Sequence, residues 1–261
     1  MTGDLRPDRA HYPDLDGKTA VVTGGSRGIG AATARALAAN GAAVAVLARD
    51  GQALDSVAAG ISEAGGRALA VPADCTVQGD LERCANTVLE ALGPVDILAT
   101  FAGGNGMPVP TAEETADHWR EVIESDLTSM FLTTSAFLPT MIERHRGSII
   151  TMSSAAARQA AQSSAAYAAA KAGVIAFTRH TAKELGGLGI RVNCIAPSAI
   201  ENERMRRWTT EEQRQQLGSE FPLGRLGQPE DVAASAMFLA SDASSWITGI
   251  TLDVAGGKIM L

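Results

Sequence analysis

Ser154 and the stretch Tyr167-Ala168-Ala169-Ala170-Lys171 hold the residue types best suited to moving a proton. In the Ala-rich segment around them, a spacing of i and i+4 puts phenol and ammonium on one helix face, a turn apart. A Lys ammonium beside a phenol favours the phenolate, which suits the pair to general acid/base work. Ser154, thirteen residues upstream, brings a hydroxyl able to hold the oxygen that Tyr167 would protonate. Alone, the spacing is a weak signal, because Tyr and Lys one helical turn apart are usually surface residues. The elements around them decide.

Short β-branched runs alternate with longer Ala-rich segments along the chain. Residues 19–23, 43–48, 68–72, 95–100, 148–152, 191–195 and 250–254 read as strands. Residues 29–40, 53–64, 81–92, 116–144, 165–185 and 230–240 read as helices. Gly41, Gly65-Gly66, Gly93-Pro94, Gly147 and Gly189 punctuate the helix-to-strand returns. Such alternation predicts an α/β fold: a single doubly wound parallel sheet of the Rossmann type with helices on both faces. Residues 1–14, polar and proline-bearing, read as an N-terminal extension, and 15–261 as one domain.

Composition narrows the partners. Lys plus Arg number 22 against 29 Asp plus Glu, a net charge of −7, which argues against nucleic acid or an anionic membrane. No apolar run approaches the roughly 18 residues of a spanning helix, and the N-terminus lacks the features of a signal peptide. Cys75, Cys84 and Cys194 are odd in number and without metal-ligand spacing. They predict buried packing in a reduced cytoplasm, and no metal site.

Strand 19–23 runs straight into Gly24-Gly25-Ser26-Arg27-Gly28-Ile29-Gly30, and a helix follows. Glycines at such a turn let the backbone approach a pyrophosphate, which then sits at a helix N-terminus. The cofactor bed is therefore expected along Gly24, Ser26, Arg27, Gly28, Ile29 and Gly30. An acid after the second strand would accept the ribose hydroxyls of NAD, whereas Arg suits the 2′-phosphate of NADP. Here neutral Ala48 is followed by Arg49, with Asp50 next and Arg27 in the glycine turn. The reading is NADP(H) ahead of NAD(H), the alternative being that Asp50 takes the ribose.

With both motifs in hand, the chain from about Leu15 to its end resembles the short-chain dehydrogenase/reductase family. The resemblance rests on Thr23-Gly24-x-x-x-Gly28-x-Gly30, Asp74, Ala102-Gly103, Ser154…Tyr167-x-x-x-Lys171 and Asn193-x-x-Ala196-Pro197. It continues through Pro222-Leu223-Gly224-Arg225 and Gly249…Asp253-Val254-Ala255-Gly256-Gly257. The pattern is most similar to the 3-oxoacyl-[acyl-carrier-protein] reductase branch. The resemblance implies hydride transfer between a nicotinamide and a carbonyl or secondary alcohol. Tyr167 would act as general acid/base, Lys171 would lower its pKa and hold the nicotinamide ribose, and Ser154 would orient the substrate oxygen. It also places Asp74, Cys75, Ala102, Gly103, Pro197 and Ile200 along the cofactor. Helices equivalent to 116–144 and 165–185 would build a dimer face, and the last strand a tetramer.

Departures from the family pattern are informative. Asp126 stands where the family usually has an Asn that helps hold a water near the Lys, so the proton relay is expected to work but to be retuned. Thr100-Phe101 replaces an Asn-Asn pair that ties neighbouring strands. Asn202 and the Ile195 backbone are the candidates for the carboxamide, Ile195 ahead. The alternative to an enzyme is a catalytically weak dinucleotide-binding sensor or scaffold of the same fold. Substrate contacts are expected from 103–111, 155–163 and 198–222. Among these, the Gly104–Pro108 loop is flexible and mildly apolar, and Arg158 and Gln159 are polar handles. Residues 198–222, with Arg204, Met205, Arg206, Arg207 and Trp208, read as a lid, the alternative being a solvated surface helix that packs Met205 and Trp208 for stability. An acidic acyl-carrier partner would need a basic patch at the site mouth. Arg144, His145 and Arg146 are one small cluster, but Leu188 stands where a basic residue is common. Small ketones, sugars or hydroxy acids are favoured over a carrier protein.

Overall fold

The computed structural model describes residues 10–104 and 106–260, and of Arg204 only the backbone. Most of the expected N-terminal extension, Asn105 of the expected substrate loop and the Arg204 side chain lie outside the described residues. Seven strands form one sheet: β1 (Thr19–Thr23), β2 (Ala43–Ala48), β3 (Arg67–Pro72), β4 (Ile97–Thr100), β5 (Gly147–Met152), β6 (Ile190–Pro197) and β7 (Thr251–Val254). Their order is β3-β2-β1-β4-β5-β6-β7, and every neighbouring pair is parallel. The predicted doubly wound fold is observed.

Parallel strands need crossover segments, which cover both faces and demand apolar residues on either side of each strand. β1, Thr-Ala-Val-Val-Thr, is accordingly buried at every position. One face is packed by α1 (Gly28–Ala39), α2 (Gly51–Glu63) and α9 (Pro229–Ala240), through residues such as Leu37, Leu54 and Val232. The other is packed by α3 (Gln78–Leu92), α5 (Ser129–Arg144) and α6 (Ala165–Leu185), through Leu81, Phe137 and Leu185. Each such Leu or Phe, removed from water, contributes about 1.5–3 kcal/mol.

Three local differences from the sequence reading matter. Residues 116–144 are not one helix: α4 (Ala116–Ile123) passes through a π-helical turn, Glu124–Thr128, before α5. β6 continues to Pro197, because 194–197 pair with β7. The expected lid contains two short helices, α7 (Glu203–Trp208) and α8 (Glu211–Ser219).

The chain returns from edge strand β3 to β4, beside β1, and this switch opens a crevice at the carboxyl ends of β1 and β4. A cavity of about 450 Å³ lies at the opposite end of the sheet, lined by Lys18, Asp96, Arg146 and Arg191 among others. Those residues stand at the amino ends of strands, away from the crevice. Structural contacts engage them: Lys18 pairs with Asp14 and Asp242, and Arg191 donates to the carbonyls of Leu239 and Ser241 at the end of α9.

Candidate active site

The glycine turn is built by close contacts that exclude side chains. Gly24 has φ +65°, and a Cβ there would stand 2.8 Å from the Phe101 carbonyl oxygen. A Cβ on Gly30 would stand 2.2 Å from the Gly24 carbonyl oxygen. Gly28 differs: its φ is +53°, yet nothing lies within 4 Å of where its Cβ would be. That open space faces the start of α1, whose N-cap residue, Arg27, makes no side-chain capping bond. Among the described residues no side chain caps the first N–H groups of the helix, the arrangement that receives a phosphate. Ser26 and Ile29 are half-buried on either side of the exposed Arg27.

The expected ribose end gathers Arg27, Arg49, Asp50 and Asp74. Arg49 is exposed after β2. Asp50 is engaged as the N-cap of α2, accepting from the Ala53 N–H at 3.1 Å, and stands 3.9 Å from Arg27 Nη2. Asp74 accepts from the Thr76 N–H and hydroxyl at 2.9 and 2.7 Å. Those bonds, with the charge of Arg49, hold its carboxyl below the usual range against a smaller opposing effect of burial. The Cys75 side chain is turned into the core, where burial pushes its thiol up to about 12, so only its backbone is available to a ligand.

At the end of β4, the strand tie comes from Thr23, which the sequence reading placed in the glycine motif without this role. Thr23 Oγ1 accepts from the N–H groups of Phe101 and Ala102 at 3.0 and 3.1 Å. The Thr100 hydroxyl is buried without a hydrogen-bond partner among the described residues, and Phe101 packs into the core. Gly103 follows with φ +117°, and a Cβ there would be 2.6 Å from Asp126 Oδ1.

Asp126 lies in the π-helical turn and is 1% exposed. π-turns re-aim a side chain within a helix and recur at functional sites. Its Oδ1 is 3.1 Å from Lys171 Nζ and accepts from the Gly104 N–H at 2.6 Å, while Ser125 Oγ donates to Oδ2 at 2.8 Å. Burial pulls this carboxyl up, but the Lys171 charge and the bonds from Gly104, Ser125 and Lys171 outweigh it and leave it below the usual range. Lys171 is also buried, and it donates to the Met152 carbonyl at 3.2 Å. Two of its three N–H donors therefore have protein partners.

Tyr167 and Lys171 share one face of α6 as the spacing predicts, with Nζ 5.6 Å from the Tyr167 ring centroid. The helix start is fixed by buried Ser164, whose Oγ accepts from the Tyr167 N–H at 3.1 Å. Ser153, unconsidered from sequence, donates its hydroxyl to the Lys171 carbonyl at 2.7 Å and so moors α6 to the end of β5. The next residue, Ser154, accepts from the Ala156 N–H at 3.2 Å, which leaves its O–H as a donor. Gly106 crosses the Tyr167 ring; a Cβ there would lie 3.1–3.2 Å from three ring carbons.

On the carboxamide side, Pro197 ends β6 opposite Val254. The Ile195 carbonyl, part of the backbone expected to meet the carboxamide, accepts from the Ser153 N–H at 2.8 Å inside the sheet. Ile200 bridges to Gly227, and Asn202 Oδ1 caps α7 by accepting from the Met205 N–H at 2.8 Å. Two expected substrate contacts also move. Arg158 is held by Asp253 rather than left as a free handle. Arg144 and Arg146 both pair with Asp96 at the amino ends of the strands, so their cluster is not at the site mouth. In the lid, Met205 is half-buried, whereas the Trp208 side chain is 81% exposed.

Comparison with known proteins bears on this arrangement directly. Residues 24–258 match the family model described as Enoyl-(Acyl carrier protein) reductase. The chain is 40% identical over 248 residues to a 3-oxoacyl-[acyl-carrier-protein] reductase of Synechocystis sp., covering 94% of this chain and 98% of that one. It is 38% identical over 245 residues to a 7alpha-hydroxysteroid dehydrogenase of Escherichia coli (strain K12), covering 94% and 95%. A solved 3-oxoacyl-[acyl-carrier protein] reductase from Brucella melitensis superposes with a TM-score of 0.90 at 33% identity, covering 100% of this chain and 98% of that one. The chain is a short-chain dehydrogenase/reductase. It is an oxidoreductase acting between CH–OH and C=O, the class to which these named relatives belong. A short-chain dehydrogenase/reductase works with a nicotinamide dinucleotide, and the open space at Gly28, the uncapped start of α1 and exposed Arg27 and Arg49 fit that group. The relatives carry names with two different substrates, so family membership leaves the substrate open.

Proposed function

We propose that the chain transfers a hydride between NADP(H) and a carbonyl or secondary alcohol, with Tyr167 as general acid in reduction and general base in oxidation. The carrying observation is the fixed pair itself: Lys171 Nζ lies 5.6 Å from the Tyr167 ring, on a helix moored to β5 by Ser153, immediately before Ser154. When bound, the nicotinamide supplies the hydride. Tyr167 gives its phenolic proton to the oxygen that gains charge, and the Ser154 hydroxyl donates to the same oxygen. Lys171 keeps one N–H donor for the phenol or the ribose. Asp126 balances the ammonium and so tunes the relay.

The preference for NADP(H) rests on Asp50 being engaged at α2 while Arg27 and Arg49 stand exposed around neutral Ala48. Two guanidinium groups suit a 2′-phosphate dianion. Comparing kcat/KM with NADPH and NADH tests this, and a clear NADH preference overturns it. Small ketones, sugars or hydroxy acids remain the favoured substrates, because Arg144 and Arg146, the cluster considered for an acidic carrier protein, pair with Asp96 at the amino ends of the strands. The buried thiols fit a reducing, cytoplasmic setting. Exposed apolar side chains on the helices expected to build a dimer face suit a dimer or tetramer: Phe131 is 50% exposed and meets Phe177 edge-on at 6.4 Å, and Trp119 on α4 is also exposed. Light scattering checks the assembly.

A weak-turnover dinucleotide binder is the second reading, favoured by the engagement of two Lys171 donors with Asp126 and Met152. Tyr167→Phe separates the two: it abolishes turnover and spares NADPH binding in the enzyme, and leaves nothing to abolish in the binder.

A further inference from the structure

The turn that carries Ser154 is fastened to the last strand at two points. Ser154, two residues beyond β5, is in extended backbone and caps the single 3-10 turn Ala155–Ala157. Arg158 closes that turn by donating its N–H to the Ala155 carbonyl at 2.9 Å. Its side chain then reaches β7: Nε donates to Asp253 Oδ1 at 3.0 Å and Nη2 to Oδ2 at 2.9 Å. The side chains are 22% and 15% exposed, so water and salt screen the pair only partly. A two-pronged guanidinium–carboxylate contact fixes direction as well as distance, which a single-point ion pair does not. The second fastening is apolar: Ala155 is buried against Ala255 and Ile259, just beyond β7. Asp253 is itself set opposite Ala196, one residue before the Pro197 end of β6. One short strand thus holds both the Ser154 turn and the end of β6.

We propose that Arg158 and Asp253 are positioning residues that hold the Ser154 hydroxyl against the reacting oxygen. This rests on the role given to Ser154 above. Arg158 brings no free cation to the substrate, because a substrate carboxylate would have to displace Asp253. Its fork instead stops the turn from pivoting about Ser154. Misplacing a positioned group by about 1 Å costs on the order of a hundredfold in rate.

The test uses the full chain with NADPH and the ketone that the wild type reduces fastest in a panel. The variants are Arg158→Ala, Arg158→Lys, Asp253→Ala, the double alanine and the exchanged pair Arg158→Asp with Asp253→Arg. Asp253→Asn replaces Asp253→Ala if the latter does not fold. Expected are a fall in kcat of roughly ten- to a hundredfold in each alanine variant, an unchanged Kd for NADPH by nucleotide fluorescence, and no further fall in the double. Arg158→Lys, which keeps the charge and loses the fork, recovers part of the rate, and the exchanged pair recovers more than either single reversal. Hydrogen exchange of the peptide covering 153–160 speeds up in Arg158→Ala. A structural role alone would weaken NADPH binding and rate together and would not be rescued by exchange. Unchanged kcat in folded, NADPH-binding variants overturns the proposal, as does a double variant whose loss is the product of the singles. If the wild type reduces no ketone, the catalytic reading of Ser154 fails instead. The exchange measurement then decides the fastening by itself, and unchanged protection of 153–160 overturns it.

Discussion

Removing the carboxylate of Asp126 is the most searching perturbation of this site. The carboxylate is 1% exposed and 3.1 Å from Lys171 Nζ, so each ion is the other's main compensation for leaving water. At an effective dielectric of about 20, attraction at that distance is about 5 kcal/mol, most of which offsets desolvation. Taking away one partner alone strands the other, at about 3–5 kcal/mol. Asp126→Ala should therefore lower Tm by roughly 6–20 °C, at about 2–4 °C per kcal/mol for a chain of this size. Asp126→Asn keeps an oxygen for the Gly104 N–H and for Lys171 and loses the charge and the acceptor of the Ser125 hydroxyl, so about 1–3 kcal/mol is expected. The sign with pH follows from the lowered carboxyl of Asp126. A group whose folded pKa is depressed contributes stability above its unfolded value, near pH 4, and loses it as pH falls through the folded value. The Tm gap between wild type and Asp126→Asn should stay constant from pH 8 to 5 and narrow below about pH 4. Scanning calorimetry at fixed protein concentration measures it, with the pH–rate profile alongside. Losing the negative charge beside Lys171 favours phenolate, so the limb of that profile should move to lower pH. Equal Tm values at pH 7 together with an unmoved limb would refute the account of Asp126 as the counter-ion of Lys171.

The strand tie at β4 gives a paired contrast. Thr23→Val leaves the Phe101 and Ala102 N–H groups without their acceptor and should cost about 1–3 kcal/mol in urea unfolding. Thr100→Val removes a buried hydroxyl without a partner and should be neutral or stabilising; a loss comparable to Thr23→Val would contradict this. Gly24→Ala combines a positive φ with a Cβ 2.8 Å from a backbone oxygen, so folded yield and NADPH binding should both drop. Arg49→Ala and Arg27→Ala should each raise KM for NADPH by about tenfold or more and leave that for NADH nearly unchanged. Parallel changes in the two cofactors would remove both residues from phosphate recognition.

The parallel doubly wound sheet and the placing of Tyr167 and Lys171 on one helix face were legible because each depends on local pattern: buried runs of β-branched residues, glycine breaks and an i,i+4 spacing. The glycine turn was legible for the same reason. What escaped was set by contacts between segments far apart in sequence. Residues 116–144 carry an unbroken helical pattern, and periodicity gives no warning that the chain takes a π-turn at Asp126. Ser153 drew no notice in the sequence and Thr23 only as part of the glycine motif, and only the fold brings them to the Lys171 carbonyl and the Phe101 N–H. Arg158 looked free because its partner, Asp253, is 95 residues away. The bond from the Ser153 N–H to the Ile195 carbonyl likewise joins residues distant in sequence.

The oxygen Asp126 Oδ1 meets both the Lys171 ammonium and the Gly104 N–H, and two residues after Gly104 the chain passes over the Tyr167 ring. One atom therefore serves as a common vertex for the electrostatics of the proton site and for the shape of the opening above it. These two properties cannot drift independently. A lineage that exchanges this side chain for one with no oxygen at that vertex alters acidity and access in the same step, so its paralogues would diverge in pH optimum and substrate size together.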